Sequence, residues 1–376
     1  MRLVFVSIYI SAHLLPVCEN LYKELGDNFR FISTGKISDE RKKLGWLQIT
    51  RDYETVVDLE NDDLSEVSKA INDADVVIYG TSPDSLLADR IKSGKLTFKY
   101  CERLYKGTFS FKRWIKAYIG TYLHYARFKK YNFYILCASS YTSKDLNKFF
   151  NFKNRCFKWG YFPETLQYNN IEEFVKTKKS NSLLWVARFL KLKHPEIPVL
   201  IAEKLKKDGY NFSMTLVGSG VLEDEIKAMI CEKGLNDVIT LTGAIPQDKV
   251  HTYMDDSEIF LFTSDSNEGW GAVLNEAMNS ACACISSDAI GSSAFLIDDG
   301  KNGFLYEDGN LDDLYEKIMH LLNNKDVQTH MGINAYKTIT EEWNAEIAAK
   351  KFLNLADAIL SGNDPFIFPS GVGSKS

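Results

Sequence analysis

Short apolar runs alternate with helix-length amphipathic segments along most of the chain. In the first half the strand candidates are residues 3–8, 29–33, 74–79, 133–138 and 155–160. In the second half they are residues 183–187, 212–217, 238–241, 258–262 and 283–286. Short apolar runs separated by helices are typical of a parallel sheet that is covered by helices on both faces. We therefore expect an α/β protein with two doubly wound, Rossmann-like domains.

The polar stretch 164–181 lies between the two series, and we interpret it as a linker between domains 1–163 and 182–343. A last helical pattern covers about 344–361, and packing back on the first domain is one option for it. The tail 362–376 is rich in Gly, Pro and Ser, so we expect it to be loosely held. In open sheets of this kind, ligands bind at the carboxyl ends of the strands, here in a cleft that both domains face.

Charge is spread unevenly along the chain. Residues 1–180 contain 29 Lys and Arg and 21 Asp and Glu, whereas residues 181–376 contain 16 and 29. A basic half joined to an acidic half indicates that one domain faces an anionic partner; two solvated surfaces of different charge are the alternative. The sequence pI near 5.8 and the absence of long basic runs argue against nucleic acid as the main ligand.

Cysteine usage and hydropathy favour a cytoplasmic protein. The seven cysteines include no Cys-x-x-Cys pair and no zinc-like spacing with histidines, which fits a reducing compartment and predicts no metal site. No stretch of about 18 uninterrupted apolar residues occurs, so no transmembrane helix is expected.

Residues 95–134 form a basic and aromatic segment with ten Lys or Arg, thirteen aromatic residues and a single acid. A basic, aromatic amphipathic helix suits an anionic membrane surface, which would make the protein peripheral on the inner face of the membrane. The alternative is that the aromatic side chains belong to the core and the basic ones line a cleft for phosphate. The residues concerned are Trp114, Tyr118, Tyr122 and Tyr125, with Lys112, Arg113 and Lys116 nearby.

In the second half, a cationic pair follows directly after a predicted strand. Arg188 and Lys193 lie five residues apart. A guanidinium and an ammonium at a strand end can stabilise the charge that develops on a diphosphate leaving group. Taken alone, the same pattern also describes a surface Arg and Lys in a turn.

The strongest chemical signal is the segment 268–276, Glu-Gly-Trp-Gly-Ala-Val-Leu-Asn-Glu. A predicted strand leads into a polar loop with two glycines and then into a helix. Backbone N–H groups of Gly271 and Ala272 at the helix start suit an anion, and a carboxylate such as Glu276 can accept both hydrogen bonds of a ribose diol. The alternative is a glycine-rich loop with a capping acid.

Residues 183–303 resemble the donor-binding domain of glycosyltransferase family 4, a family of retaining GT-B enzymes with a bacterial polysaccharide subset. Glu268 and Glu276 match the family's motif of two glutamates separated by seven residues. Arg188 and Lys193 match its Arg and Lys after the first strand of the second domain.

Two loops, 217–220 and 241–246, also look like the family's glycine-containing loops. The resemblance implies a retaining, metal-independent transfer from a UDP- or GDP-sugar, without a further cofactor. It implies catalytic roles for Arg188 and Lys193 at the diphosphate and for Glu268 near the donor sugar. The donor-binding residues that it implies are Gly218, Gly243, Ala244, Ile245, Gly269, Trp270, Gly271, Ala272 and Glu276, the last on the ribose.

The chain departs from the family pattern at several positions. Trp270 stands where Phe is usual, and we expect its ring to wall the donor pocket. The loop 291–295 has no acid after its glycine, which leaves the donor sugar open. His194 follows Lys193 where Gly is common, and it is interpreted either as a catalytic base or as an exposed turn histidine.

Weaker signals in the first half indicate the acceptor side. His13 follows the first strand, where it either binds acceptor hydroxyls or has a structural role. Glu102 and Arg103 lie in a run, 100–104, that resembles a Ser-Glu-Arg segment of the bacterial polysaccharide subset. We expect the domain 1–163 to bind a glycan or lipid-linked acceptor and the domain 182–343 to bind the nucleotide sugar.

The expected function is a retaining hexosyl transfer in surface polysaccharide synthesis. Two alternatives from other classes stay open, a GT-B sugar-nucleotide epimerase and a non-catalytic nucleotide-sugar binding module. The presence of both cations and both glutamates argues against the binding module. A dehydrogenase is disfavoured because no Gly-x-Gly-x-x-Gly follows the first strand.

Overall fold

The computed structural model describes residues 1–37, 50–107 and 110–376. These residues divide into two compact units, one of residues 1–164 with 343–376 and the other of residues 165–342. Each unit contains one sheet in which all strand pairs are parallel, so the predicted pair of doubly wound α/β domains is confirmed.

The sheet of the first unit has the order β3-β2-β1-β4-β5-β6-β7 over the described residues. Its central strands consist of apolar residues buried on both faces, which is the pattern of parallel strands covered by helices. The strands are β1 (Leu3–Ser7), β2 (Phe29–Ser33), β3 (Glu54–Val56), β4 (Val76–Tyr79), β5 (Leu96–Cys101), β6 (Phe133–Cys137) and β7 (Cys156–Lys158).

Helices cover both faces of this sheet. The helix Ala345–Leu360 packs against the first helix of the chain and places Phe352 against Phe98 of β5, with ring centroids 5.1 Å apart. It begins where the Asn344 side chain accepts a hydrogen bond from the N–H of Ile347. The other helices of this unit in the described ranges are α1 (Leu15–Leu25), α2 (Ser65–Asp73), α3 (Ala88–Lys92), α4 (Phe111–His124) and α5 (Thr142–Asn147).

The prediction of a loosely held tail is wrong. Val372 is buried, and the chain beside it pairs with β7. The N–H of Gly373 donates to the carbonyl of Lys158 at 2.8 Å, and the N–H of Lys158 donates to the carbonyl of Ser374 at 2.7 Å. Paired backbone groups and a buried Val hold a segment whose composition alone is typical of a flexible end.

The stretch predicted as a linker is also folded, and it belongs to the second unit from residue 165 onward. It contains α6 (Ile171–Lys176). Lys178 is buried, and its ammonium donates to the carbonyls of Met254 and Ser257, each at 2.9 Å. A buried ammonium that is satisfied by carbonyl groups fixes this stretch against the C-terminal end of the helix Gln247–Asp256.

The second unit has the strand order β10-β9-β8-β11-β12-β13 over the described residues, which is the dinucleotide-binding order. Its core is formed by apolar side chains of the sheet and of helices on both faces. The strands are β8 (Ser182–Val186), β9 (Ser213–Val217), β10 (Ile239–Gly243), β11 (Ile259–Phe262), β12 (Ala283–Ser287) and β13 (Phe304–Tyr306). The helices are α7 (Glu196–Lys207), α8 (Glu223–Glu232), α9 (Gln247–Asp256), α10 (Val273–Asn279), α11 (Ser293–Leu296), α12 (Leu311–Asn323) and α13 (Lys325–Glu341).

Candidate functional site

The strand order of the second sheet reverses between β8 and β11, and the loops that follow these two strands meet there. In open parallel sheets, ligands bind outside the carboxyl ends of the strands at such a reversal. The loop after β8 carries Arg188 and Lys193, and the loop after β11 carries Glu268. Sequence reasoning therefore selected residues that the topology brings to one place.

Lys193 and Glu268 form an ion pair between these two loops. Each side chain keeps 14% of its surface exposed, so the pair is accessible but largely shielded from water. The Lys193 ammonium also lies 5.8 Å from the ring centroid of Phe262, the last residue of β11. A cation and a carboxylate held together at a partly dry strand end can act on an anionic ligand or on sugar hydroxyls.

A buried threonine ties the two loops together. The Thr263 hydroxyl donates to the carbonyl of Lys193 at 2.8 Å and accepts a hydrogen bond from the indole N–H of Trp185, also at 2.8 Å. The N–H of Asp265 donates to the carbonyl of Leu192 at 3.0 Å. Sequence reasoning missed Thr263, because a single threonine after a strand belongs to no motif.

Arg188 is exposed on the same loop, and the residues beside it touch the glycine turn after β9. Gly218 has φ 130°, and a Cβ atom at this position would lie 2.0 Å from the carbonyl oxygen of Ala187. The N–H of Phe189 donates to the carbonyl of Ser219 at 2.8 Å. The glycine therefore permits a close contact between two backbones and sets the course of the loop that carries Arg188.

The loop after β10 continues this edge of the sheet. Gly243 has φ 71°, and its carbonyl accepts a hydrogen bond from the N–H of Gly218 at 3.0 Å. Ala244 is exposed and Ile245 is half-buried. The predicted contact of residues 243–245 with a nucleotide base stays a prediction.

Glycine also shapes the loop after β11. Gly271 has φ 80°, and a Cβ atom there would lie 2.3 Å from Cζ of Phe262 and 3.4 Å from Cγ of Glu268. The loop can close over the Phe262 ring only because this position has no side chain. Gly269 is buried and Ala272 nearly so, which places the backbone of this loop against the body of the unit.

Trp270 has a different setting from the one expected for a pocket wall. Its ring is buried, with 1% of its surface exposed, and its indole N–H donates to the Asn275 side-chain oxygen at 2.9 Å. The ring also lies 6.3 Å from that of Phe295. The indole therefore supports the loop from within, and any contact of Trp270 with a donor stays a prediction.

Glu276 lies on α10, the short helix that follows this loop. Burial raises the pKa of its carboxyl from an ordinary value of 4.5 to about 7. No ion pair joins Glu276 to another residue in the described part of the chain. The negative charge of such a carboxylate is poorly stabilised, and two hydroxyl donors of a ligand can stabilise it.

His194 is not the exposed turn histidine of one interpretation. It adopts φ 51° and lies between two carboxylates, with Nδ1 2.7 Å from Glu196 and Nε2 3.4 Å from Asp265. The hydrogen bond to Glu196 and the two negative charges raise its pKa. These contacts join the start of α7 to the loop after β11, so His194 helps to hold the loop that bears Glu268.

The first unit contains a cavity of about 920 Å³ at the carboxyl edge of its own sheet. His13 and Glu102 both line it, beside the switch between β1 and β4. Tyr161 connects them, since its hydroxyl donates to Glu102 at 2.7 Å and its ring stacks on His13 at 6.0 Å. Burial lowers the pKa of His13, so the imidazole is neutral near pH 7 and can donate to or accept from a hydroxyl.

Arg103 does not line this cavity, unlike its neighbour Glu102. Its guanidinium lies 4.4 Å from the ring centroid of Tyr141, and its Nε donates to the carbonyl of Tyr105 at 3.1 Å. The two neighbouring acceptor-side candidates therefore have different surroundings. Its predicted role at the acceptor stays a prediction.

The aromatic side chains of the segment 95–134 are not core residues where they lie on α4. Trp114, Tyr118 and Tyr122 expose 44%, 42% and 49% of their surface, while Tyr125 just beyond the helix is buried. Residues 108–109 of this segment lie outside the described residues. In the described ranges, no helix is long and apolar enough to cross a membrane, and no cluster of three or more potential metal ligands occurs.

Residues 167–338 match the sequence model of the Glycosyl transferases group 1 family. The poly(ribitol-phosphate) alpha-N-acetylglucosaminyltransferase of Staphylococcus aureus (strain COL) is 30% identical over 172 residues, which cover 45% of this chain and 34% of that protein. A Campylobacter jejuni relative, N-acetylgalactosamine-N,N'-diacetylbacillosaminyl-diphospho-undecaprenol 4-alpha-N-acetylgalactosaminyltransferase, is 29% identical over 144 residues, or 38% of each chain. The matched part thus spans little more than a third of these curated relatives.

The solved structure of Anabaena HepE in complex with UDP superposes with a TM-score of 0.71 and covers 95% of this chain and 100% of that one. The sequence identity is 13%, so this likeness concerns the fold alone. The fold is GT-B, with two Rossmann-like domains, and the predicted fold class is confirmed.

Proposed function

We propose that the chain transfers a sugar from a UDP- or GDP-sugar to a glycan or lipid-linked acceptor, with retention of configuration. The match of residues 167–338 to the sequence model of the Glycosyl transferases group 1 family supports this proposal. The observation that carries this proposal is the ion pair between Lys193 and Glu268 at the switch point of the second sheet. Arg188 lies on the same loop as Lys193, and the loop of Glu268 leads into the helix that bears Glu276.

The donor half of the reaction needs charge stabilisation more than acid or base chemistry. Arg188 and Lys193 supply two cations for the diphosphate that leaves, and they act most strongly where water is partly excluded. Glu268 pairs with Lys193 and thereby positions the ammonium. In this proposal Glu268 also contacts the donor sugar near the reacting carbon. Glu276 accepts the ribose hydroxyls, for which its poorly compensated carboxylate is suited.

Retention requires the acceptor to attack from the face that the diphosphate leaves. In this proposal the departing phosphate oxygen takes the proton of the acceptor hydroxyl, and no protein base or metal ion is needed. The protein then contributes orientation of both substrates and stabilisation of the leaving group.

The cavity of the first unit suits an acceptor that carries hydroxyl groups. A neutral imidazole, a carboxylate and four tyrosines line it, and all of these groups can form hydrogen bonds with hydroxyls. The names of the relatives specify a polymer of ribitol phosphate in one case and a diphospho-undecaprenol acceptor in the other. We place this chain in polysaccharide synthesis by analogy, with a membrane surface as a further partner on the cytoplasmic side.

The test is a screen of UDP- and GDP-sugars for slow donor hydrolysis, with the products analysed by NMR. Release of the sugar with its original anomeric configuration, unaffected by EDTA, is the expected result. Conversion to an epimeric sugar nucleotide would favour the epimerase, and binding without turnover of any donor would favour a non-catalytic module. Inhibition by EDTA that magnesium or manganese reverses would contradict metal independence.

A further inference from the structure

Helix α4 has two chemically different faces. One is apolar and solvent-exposed, with side chains that keep 40–78% of their surface accessible: Phe111, Trp114, Ile115, Tyr118, Ile119, Tyr122 and Leu123. Their spacing of three and four residues places them on one side of the helix. The opposite face lines a cavity of about 710 Å³ between α4 and the segment 104–106.

This second cavity, the α4 groove, is basic. Lys99, Lys106, Arg113, Lys116 and His124 line it, and none of its lining residues is acidic. Acids outside the groove compensate part of this charge. Asp84 pairs with Lys99 at 3.1 Å and with His124 at 2.6 Å. Glu102 pairs with Lys106 at 3.6 Å.

Lys116 differs from Lys99 and Lys106, the other two lysines of the groove, which pair with acids. It is exposed on α4 and forms no ion pair with an acid in the described ranges. The four cationic side chains around this cavity give it a positive potential that attracts anions. The groove therefore favours a ligand with more than one negative charge, for which ammonium and guanidinium groups are the usual partners.

The position of the α4 groove indicates what else such a ligand carries. Lys99 and Tyr125 line both this groove and the 920 Å³ cavity that contains His13 and Glu102. An anion in the groove thus has a hydroxyl-binding cavity on one side and an exposed apolar helix face on the other. A lipid-diphosphate-linked sugar carries its groups in this same order: first hydrocarbon, then a multiply charged anion, then a sugar.

We propose that the α4 groove binds the diphosphate of a lipid-linked acceptor, while the apolar face of α4 lies in the membrane surface and the acceptor sugar enters the larger cavity. This inference rests on the proposed function and deepens it by naming the acceptor class. No covalent step occurs in the groove; its task is to position the acceptor.

The experiment measures binding of the full chain to two kinds of vesicles of equal surface charge. One kind contains phosphatidylcholine with a few mole per cent of a polyprenyl-diphosphate sugar, and the other contains phosphatidylcholine with phosphatidylglycerol. The variant is Lys116→Gln, on the groove side, and the matched control is Lys112→Gln, an exposed lysine of the same helix that does not line the groove.

We expect Lys116→Gln to weaken binding to the diphosphate vesicles by about tenfold, as loss of one charge-assisted hydrogen bond predicts, and Lys112→Gln to change it by less than about twofold. Both variants should weaken binding to phosphatidylglycerol vesicles to a similar, small extent. Equal effects of the two variants on both kinds of vesicles would overturn the groove in favour of a general surface charge.

Inorganic pyrophosphate serves as the competitor that distinguishes a lipid diphosphate from a free anion. It should displace the wild-type protein from diphosphate vesicles only at concentrations far above that of the lipid. Binding of pyrophosphate as tight as that of the lipid would overturn the lipid assignment. Donor hydrolysis by the wild type, measured in parallel without acceptor, tests the proposed function separately, because it requires no occupant of the groove.

Discussion

At the scale of single residues, the two glutamates of the site have opposite surroundings. Glu268 is paired with Lys193, whereas Glu276 is half-buried and forms no ion pair with any described residue. A desolvated and uncompensated carboxylate costs stability, and the same feature prepares it to accept hydroxyl donors. The free energy of unfolding and the affinity for a nucleotide should therefore respond in opposite directions to a change at Glu276.

We predict that Glu276→Gln stabilises the protein at pH 8. The folded state holds the Glu276 proton up to about pH 7 and the unfolded chain only to about 4.5, so the free energy of unfolding falls as the pH rises between these values. The variant lacks this loss, which amounts to about 1–3 kcal/mol for a carboxyl that keeps part of its surface exposed. Denaturant unfolding at pH 4.5 and pH 8 measures it, with Glu232→Gln on the surface of α8 as the control. Equal stability of variant and wild type at pH 8 would contradict the burial effect.

The same carboxyl gives a pH dependence to donor binding. Ribose hydroxyls donate to the ionised form and lower its pKa in the complex, so binding releases a proton below about pH 7. Affinity for UDP-glucose, whose diphosphate does not titrate in this range, should rise from pH 5.5 to pH 7 and then level off. Isothermal titration calorimetry checks this, and Glu276→Gln should bind more weakly with a flat pH profile. An affinity of wild type that does not depend on pH would remove Glu276 from the ribose.

Lys193→Met tests the cation that the donor reaction requires. The variant keeps much of the length of the side chain but removes the charge, and it leaves Glu268 without its partner. We expect kcat for donor hydrolysis to fall by about 10²–10³, the cost of removing one charge-stabilising group, with a smaller change in KM. Lys191→Met, an exposed lysine on the same turn, is the control. Similar losses in both variants would point to general damage of the loop.

At the scale of elements, close contacts between loops hold the site, and glycine positions decide whether these contacts form. The turn after β9 touches the loop after β8 at the Gly218 Cα, where no Cβ atom fits. Thr263 and His194 fasten the loop after β11 to the loop after β8 and to α7. The geometry of Arg188, Lys193 and Glu268 thus depends on contacts that no local pattern in the sequence reveals.

Gly218→Ala should damage the site more than an alanine substitution at a glycine of positive φ where the added methyl group has no close neighbour. The added methyl group would lie 2.0 Å from the Ala187 oxygen, so the loop bearing Arg188 must move. Gly209→Ala is the matched control, because Gly209 also has a positive φ, 80°, but open space around it. We expect about 1 kcal/mol of destabilisation for the control and about 3 kcal/mol or more, with weaker UDP binding, for Gly218→Ala. Thermal unfolding and calorimetry compare the two variants.

Hydrophobic patterns predicted most of the central strands and helices, because parallel strands buried on both faces leave a continuous apolar run. The missed elements lack that signal. Strand β5 contains Lys99, which is buried against Asp84 and lies 4.2 Å from the Tyr79 ring centroid, and the edge strand β3 is short and half exposed. Burial of a lysine and pairing at a sheet edge depend on partners far away in sequence, so a local pattern could not indicate them.

Motifs indicated candidate residues in the second unit more clearly than in the first. A charge pair and a glycine loop can each be recognised from their local spacing in the sequence. The topology of the sheet then brings the two segments into contact, as for Lys193 and Glu268. His13 and Glu102 were weak candidates in the sequence, and only the cavity shows that they share one space with Tyr161 between them. The buried support residues, such as Thr263, became visible through contacts alone.

At the scale of the whole molecule, the positive charge of the chain and its exposed apolar helix face lie in the same unit. Residues 1–180 carry the positive excess, and α4 within them presents an apolar face with lysines beside it. Each basic residue near an anionic leaflet contributes about 1 kcal/mol, screened by salt, and buried apolar side chains add an attraction that salt does not screen. The two contributions can therefore be separated by substitution and by ionic strength.

We predict that the protein co-sediments with vesicles containing phosphatidylglycerol at low salt, and only weakly with neutral vesicles. High salt should reduce this binding strongly, because its long-range part is electrostatic. The double variant Ile115→Gln/Ile119→Gln, which removes two exposed apolar side chains of α4 without changing charge, should reduce binding at low salt as well. Val221→Gln/Val327→Gln is the control, since these residues are exposed apolar side chains of the second unit and should not matter. Equal recovery of the wild type in the supernatant with both kinds of vesicles would contradict a membrane role for α4, and its apolar face would then require another partner.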